Sequence, residues 1–277
     1  MKKETDTCSS INISDTITFI DLIYLIVNDK KGKDLYSFIK KHKDLAQIIN
    51  TKKDTNNKTA LHIAALEKSL PAIKQFLKLD EIKYNVLDIE HNTPLHYACM
   101  HNHKQIIKLF IEKDSIDVNI KNKKDLTPLD ILIIYGDLES IDILLASPNI
   151  DIHHLDSQGL TFLHKATLRD LEIFTRFLEK GININQQNHD GKTALHYASF
   201  YKKADIVSLL LSEGADYTIS DINEKTALDE ANGDAKIINI INDHANNIQL
   251  DTEITNITDH TNTQSYELSV AGEILID

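Results

Sequence analysis

Residues 91–103 read HNTPLHYACMHNH and bring four imidazoles, His91, His96, His101 and His103, close to the thiol of Cys99. Histidine nitrogen and cysteine sulfur are common zinc ligands, so the spacing first asks whether the chain holds a metal. A zinc site needs every ligand atom within about 2 Å of one ion. If PLHYACM is a helical run, His96 and His103 lie at its opposite ends, about 10 Å apart at 1.5 Å per residue. They could not share an ion, and no metal is expected. Nor does the chain contain a Gly-rich phosphate loop, an HExxH pair or a nucleophile elbow. His153 and His154 fall in a polar connector. No catalytic residue, cofactor or enzymatic activity is expected.

The elements that carry these residues belong to a chain of 277 residues, 42% hydrophobic and 26% charged, which is enough to bury a substantial core. Its 42 acids and 30 bases give a formal charge of −12, which repels a phosphate backbone, so nucleic acid is not the expected partner. Two cysteines, Cys8 and Cys99, make no disulfide framework and fit a reducing compartment. The most apolar stretch, ITFIDLIYLIV (17–27), is too short to span a bilayer and carries Asp21. It also starts too far in and lacks the cleavage site of a signal peptide, so it reads as a buried amphipathic helix. A cytoplasmic location is expected.

The imidazole cluster is one copy of something repeated. KTALHIAAL, NTPLHYACM, LTPLDILII, LTFLHKATL, KTALHYASF and KTALDEANG align without gaps on Thr59, Thr93, Thr127, Thr161, Thr193 and Thr226. The intervals are 34, 34, 34, 32 and 33 residues. Each Thr suits a helix N-cap, and Pro94 and Pro128 then fall at the first helical position. His62, His96, Asp130, His164, His196 and Asp229 stand three residues after the Thr, where a capping box reaches back to the cap. A second, apolar helix follows in each unit, and Gly181 and Gly214 sit where such a helix ends in a left-handed turn. DSQG (156–159) and NHDG (188–191) read as type I turns. The other units carry Asn57, His91, Asp125 or Glu224 in place of that glycine, and looser turns are expected there. The 32-residue unit loses a residue near LRDLE (168–172).

A period of about 33 headed by T-P-L-H-x-A resembles the ankyrin repeat. The resemblance implies an all-α fold, an ankyrin-repeat solenoid of paired antiparallel helices with β-turn connectors. Its repeats would occupy 54–87, 88–121, 122–155, 156–187, 188–220 and 221–244, the last a C-terminal cap. Residues 1–13 read as a flexible N-terminus, 14–53 as a degenerate capping helix pair, and 245–277 as a polar acidic tail, mostly disordered. The tail's apolar end, SYELSVAGEILID, reads as a docking peptide or an export signal. Nine lysines between Lys30 and Lys58 form either a solvated face or a basic contact for an acidic partner or membrane.

The resemblance also implies protein–protein recognition on the concave face, through the turns and first helices. The family's variable contact positions fall on the seventh and eighth residues after each Thr. They give Met100, Ile134, Tyr135, Leu168, Phe200 and Tyr201, with Leu126 and Leu160 added from the turns. A partner with an apolar segment is expected, since interface cores are rich in such side chains. The same positions are also those that neighbouring repeats would partly cover. Exposure separates the two readings. The Ile-, Asn- and Lys-rich, Trp-free composition suggests an AT-rich genome, and eukaryote-like ankyrin proteins of that kind look like effectors that intracellular bacteria deliver into host cells. A further alternative makes the chain a passive substrate. Asn85, Asn119 and Asn185 occupy the turn position that asparaginyl hydroxylases modify in this family. An adaptor whose tail docks elsewhere is the remaining one.

Overall fold

In the computed structural model, residues 19–42 and 45–250 are described, and among them the regular elements are helices. The chain divides into two compact units, Met1–Asp151 and Ile152–Asp277. In the first, α1 (Phe19–Asn28), α2 (Lys33–Lys41) and α3 (Leu45–Thr51) precede three helix pairs. The pairs are α4 (Ala60–Leu66) with α5 (Leu70–Phe76), α6 (Pro94–Met100) with α7 (Lys104–Ile111), and α8 (Pro128–Tyr135) with α9 (Leu138–Leu145). The second unit holds α10 (Phe162–Ala166), α11 (Leu171–Leu178), α12 (Ala194–Phe200), α13 (Ala204–Ser212), α14 (Ala227–Glu230) and a last helix, α15, over 235–250.

Each pair begins as the capping pattern predicts. The N-cap threonines are extended, with φ between −94° and −79°, and all six carry a complete capping box with the His or Asp three residues on. Within the first unit α1, α4, α6 and α8 lie side by side, as do α2, α5, α7 and α9. Within the second, α10, α12 and α14 form one layer and α11 and α13 the other. The apolar residues of the second helices meet between the layers, where Phe76 and Phe110 in one unit and Phe174 and Phe177 in the other are fully buried. No single pair could hide so much apolar surface, so the pairs cohere by stacking.

The turns are more uniform than expected. The side chains of Asp54, Asp88, Asn122, Asp156, Asn188 and Asp221 each accept backbone N–H groups two and four residues on. Asn57, His91, Asp125 and Glu224 sit at φ 59–61°, in the left-handed region, and Gly159 and Gly191 at 77° and 75°. All six donate to the carbonyl three residues back at 2.9–3.1 Å. The looser turns expected without glycine are not found. The Asx bonds force one conformation, and the non-glycine residues bear its steric cost. Successive turns also join: Ile89 and Lys123 donate to Asn56 and Glu90 in the first unit, and His189 and Ile222 donate to Gln158 and Asp190 in the second.

Three local departures matter. The region read as a helix pair holds three helices, since the chain leaves α2 at His42 in an extended conformation (φ −120°, ψ 101°); residues 14–18 lie outside the described ones. There α1 rests on α4 and α2 on α5, so a repeat-like pair is present without the Thr-headed signature. In the short repeat, only nine residues separate Thr161 from the next N-cap, Asp170, against ten from Thr193 to Lys203, and α10 shrinks to five residues. Finally, α15 continues past residue 244 to 250, and the rest of the tail lies outside the described residues.

Candidate partner-binding surface

The histidines of the repeats are joints. In His62, His96, His164 and His196, Nδ1 accepts from the backbone N–H of the N-cap Thr at 3.0–3.2 Å. The other ring nitrogen must then carry the proton, and Nε2–H donates to a carbonyl of the following repeat. His62 reaches Asn92 at 3.0 Å and His96 reaches Leu126 at 3.2 Å. In the second unit His164 reaches Lys192 at 3.0 Å and His196 reaches Lys225 at 3.1 Å. Burial lowers the pKa of all four, that of His96 and His164 to about 4. These rings tie neighbours together as neutral groups. The reach to the following repeat was not visible in the capping pattern.

The rest of the opening cluster is dispersed around this joint. Cys99 is fully buried, and burial raises its thiol pKa, so it serves as a small apolar group. His103 is buried with Nδ1 2.9 Å from the Ala65 carbonyl, and its ring stacks on the exposed His101. His91 is an exposed turn residue. Among the described residues no three His, Cys, Asp or Glu side chains are placed to hold a metal ion.

The first helices end on exposed apolar side chains. In the first unit Ile134 is 45% and Tyr135 67% exposed, while Met100 and Leu126 are half-buried. In the second, Leu168 is 53%, Phe200 49% and Tyr201 44% exposed, and Leu160 is half-buried. Leu168 is displayed from a turn and not from a helix end, because the missing residue shortens α10. In the second unit an aromatic cluster has formed. Phe200 meets Tyr201 edge-on at 5.1 Å, and Tyr201 stacks on Tyr197 at 6.3 Å. Lys192 stands 6.0 Å over the Phe200 ring and bonds the buried Glu230 at 2.7 Å. That ion pair fixes the turn residue Lys192, while Phe200 and Tyr201 stay about half exposed.

The asparagines make hydrogen bonds of their own between repeats. In the first unit the Asn85 amide donates to Ser115 and accepts from Asp117, each at 3.0 Å, and Asn119 does the same with Asn149 and Asp151. Asn50 bridges Glu81 and Lys83 in the same way, a member that the sequence pattern missed because its repeat lacks the Thr signature. In the second unit Asn185 accepts from Asp216 at 2.9 Å.

Comparison with known proteins agrees with this geometry. A family described as ankyrin repeats (3 copies) matches residues 67–156, 129–221 and 163–252. Over 60 residues the chain is 52% identical to alpha-latrotoxin-Lt1a of Latrodectus tredecimguttatus, which is 22% of this chain and 4% of the toxin. Over 97 residues it is 34% identical to BCL-6 corepressor-like protein 1 of Homo sapiens, 35% of this chain and 5% of that protein. The matched stretches thus span only about one twentieth of these relatives. The ankyrin repeat domain of Bcl-3, a member of the IkappaB protein family, aligns with a TM-score of 0.72 over 83% of this chain and 100% of that domain, at 23% identity.

Proposed function

Because the chain belongs to the ankyrin repeat family, with repeats matched over residues 67–252, we propose that it is a non-enzymatic protein–protein interaction scaffold. It recognises a partner through the ends of its first helices. The observation that carries this is the exposure of large apolar side chains at repeated positions: Ile134 and Tyr135 in one unit, Leu168, Phe200 and Tyr201 in the other. Such side chains gain most when an apolar partner segment removes them from water. The net charge of −12 argues against nucleic acid as that partner.

Among the described residues no helix is long and apolar enough to cross a membrane. Action in the cytoplasm of a host cell, after delivery by an intracellular bacterium, is the reading that the composition favours. The asparagine-substrate reading is less well supported, since Asn85 and Asn119 already use both ends of their amides and would have to leave their turns to react.

Affinity capture from animal-cell lysate tests the proposal, comparing the wild type with Ile134→Ser/Tyr135→Ser and with Phe200→Ser/Tyr201→Ser. A protein that the wild type retains, and that at least one folded variant loses, is expected. Identical captured sets from all three would refute the reading.

A further inference from the structure

The apolar face of the second unit is set in a basic surround, although the chain as a whole is acidic. The turn and first-helix segments 156–169 and 188–203 hold five bases and two acids. The second-helix segments of the same repeats, 170–187 and 204–219, hold two bases and six acids. Charge is therefore sorted by face. Lys202 and Lys203 follow Tyr201 directly, and neither has a carboxylate partner among the described residues, whereas Lys192 and Lys165 are paired with Glu230 and Asp156. An occupant that suits Phe200, Tyr201, Leu168 and these two lysines carries apolar anchors and scattered acids, with no base to repel them.

Resting on the partner-binding reading above, we propose that residues 266–277 of this same chain are that occupant, and that they compete there with outside partners. The segment YELSVAGEILID supplies Leu268, Val270, Ile274, Leu275 and Ile276 as anchors, with Glu267, Glu273 and Asp277 between and beside them. No Lys or Arg follows Lys236. The tether is adequate, because residues 251–265 extend to about 50 Å at 3.4 Å per residue. A tether of that length gives an effective concentration on the order of millimolar, so even a weak contact is populated. An outside partner must then displace the tail, which makes the tail a competitive regulator of the face.

The experiment uses the full-length chain and a fluorescein-labelled peptide of residues 266–277. Three proteins are titrated: the wild type, a tail variant with Ile274→Ser, Leu275→Ser and Ile276→Ser, and that tail variant with Phe200→Ser and Tyr201→Ser added. Circular dichroism melts check that each remains folded. The peptide is expected to bind the tail variant about tenfold tighter than the wild type, whose own tail competes. Adding the Phe200 and Tyr201 changes should weaken binding about tenfold, and rising ionic strength should weaken it too. Equal affinity for wild type and tail variant overturns the proposal, as does indifference to Phe200 and Tyr201. A wild type that sediments as a dimer beside a monomeric tail variant also overturns it, by placing the tail on a second copy. If the peptide binds none of the proteins while Phe200→Ser/Tyr201→Ser still abolishes capture of an outside partner, the tail proposal falls and the partner-binding reading stands. If the peptide behaves as expected but capture is unaffected, the tail contact stands, while the partner-binding reading falls and the competition with outside partners falls with it.

Discussion

An imidazole that accepts at Nδ1 and donates at Nε2 has no site for a second proton, and this makes the repeat histidines acid-sensitive joints. His96 and His164 titrate near 6.5 in an unfolded chain and at about 4 in the fold, because burial disfavours the charged ring. Above pH 6.5 the ring is neutral in both states and its contribution is complete. Between 6.5 and 4 the unfolded chain binds a proton that the fold refuses, so stability falls as pH falls. The loss is on the order of 3 kcal/mol per ring by pH 4. Urea midpoints should therefore drop steeply from pH 7 to pH 5. The double change His96→Asp/His164→Asp should flatten that slope while lowering stability at pH 7, since Asp130 and Asp229 show that a carboxylate completes the same cap. A slope unchanged by the double variant would place the acid sensitivity elsewhere. The left-handed turn residues give a second test. Glu224 holds φ 61° without the local bonding that suits Asn to this region, so Glu224→Gly should stabilise by about 0.5–1 kcal/mol in urea titration.

For the helices, what was legible in the sequence is what local chemistry decides. Each Thr-headed start could be read because the cap, the Pro at N1 and the residue at N3 act within four positions. Exposed ends were harder. Leu168 stands seven residues after its Thr, as Met100 and Phe200 do, yet the deletion before Asp170 moves it from a helix into a turn. The break at His42, the reach of each imidazole into the next repeat and the extension of α15 to residue 250 were not legible either, since tertiary neighbours decide them. The same deletion predicts where capping matters most. With only five residues, α10 depends on its cap more than seven-residue α12 does. Thr193→Ala should cost about 1–2 kcal/mol, the usual worth of a cap, and Thr161→Ala more. Hydrogen exchange at 163–167 in Thr161→Ala should rise above that at 195–199 in Thr193→Ala. Equal rates would show that the shorter helix draws its stability from packing.

Stacked repeats divide the labour of their side chains by direction, and this turns the binding face into something that stability measurements can recognise. Side chains between layers carry the fold. Phe110 is fully buried, and Phe110→Ala should cost about 3–5 kcal/mol through lost burial and the cavity left behind. Each repeat is held by its neighbours, so that loss should also lower the cooperativity of urea unfolding in the first unit. Side chains at the ends of the first helices carry little of this load. Phe200 and Tyr201 are roughly half exposed, and the pair Phe200→Ser/Tyr201→Ser should change unfolding free energy by no more than about 1 kcal/mol, chiefly from the lost edge-on ring contact. A cluster of large apolar side chains kept in water with little benefit to the fold points to recognition. A loss of about 3 kcal/mol or more from the Phe200 and Tyr201 pair, comparable with Phe110→Ala, would instead make these rings part of the core, and the binding surface would have to be sought elsewhere.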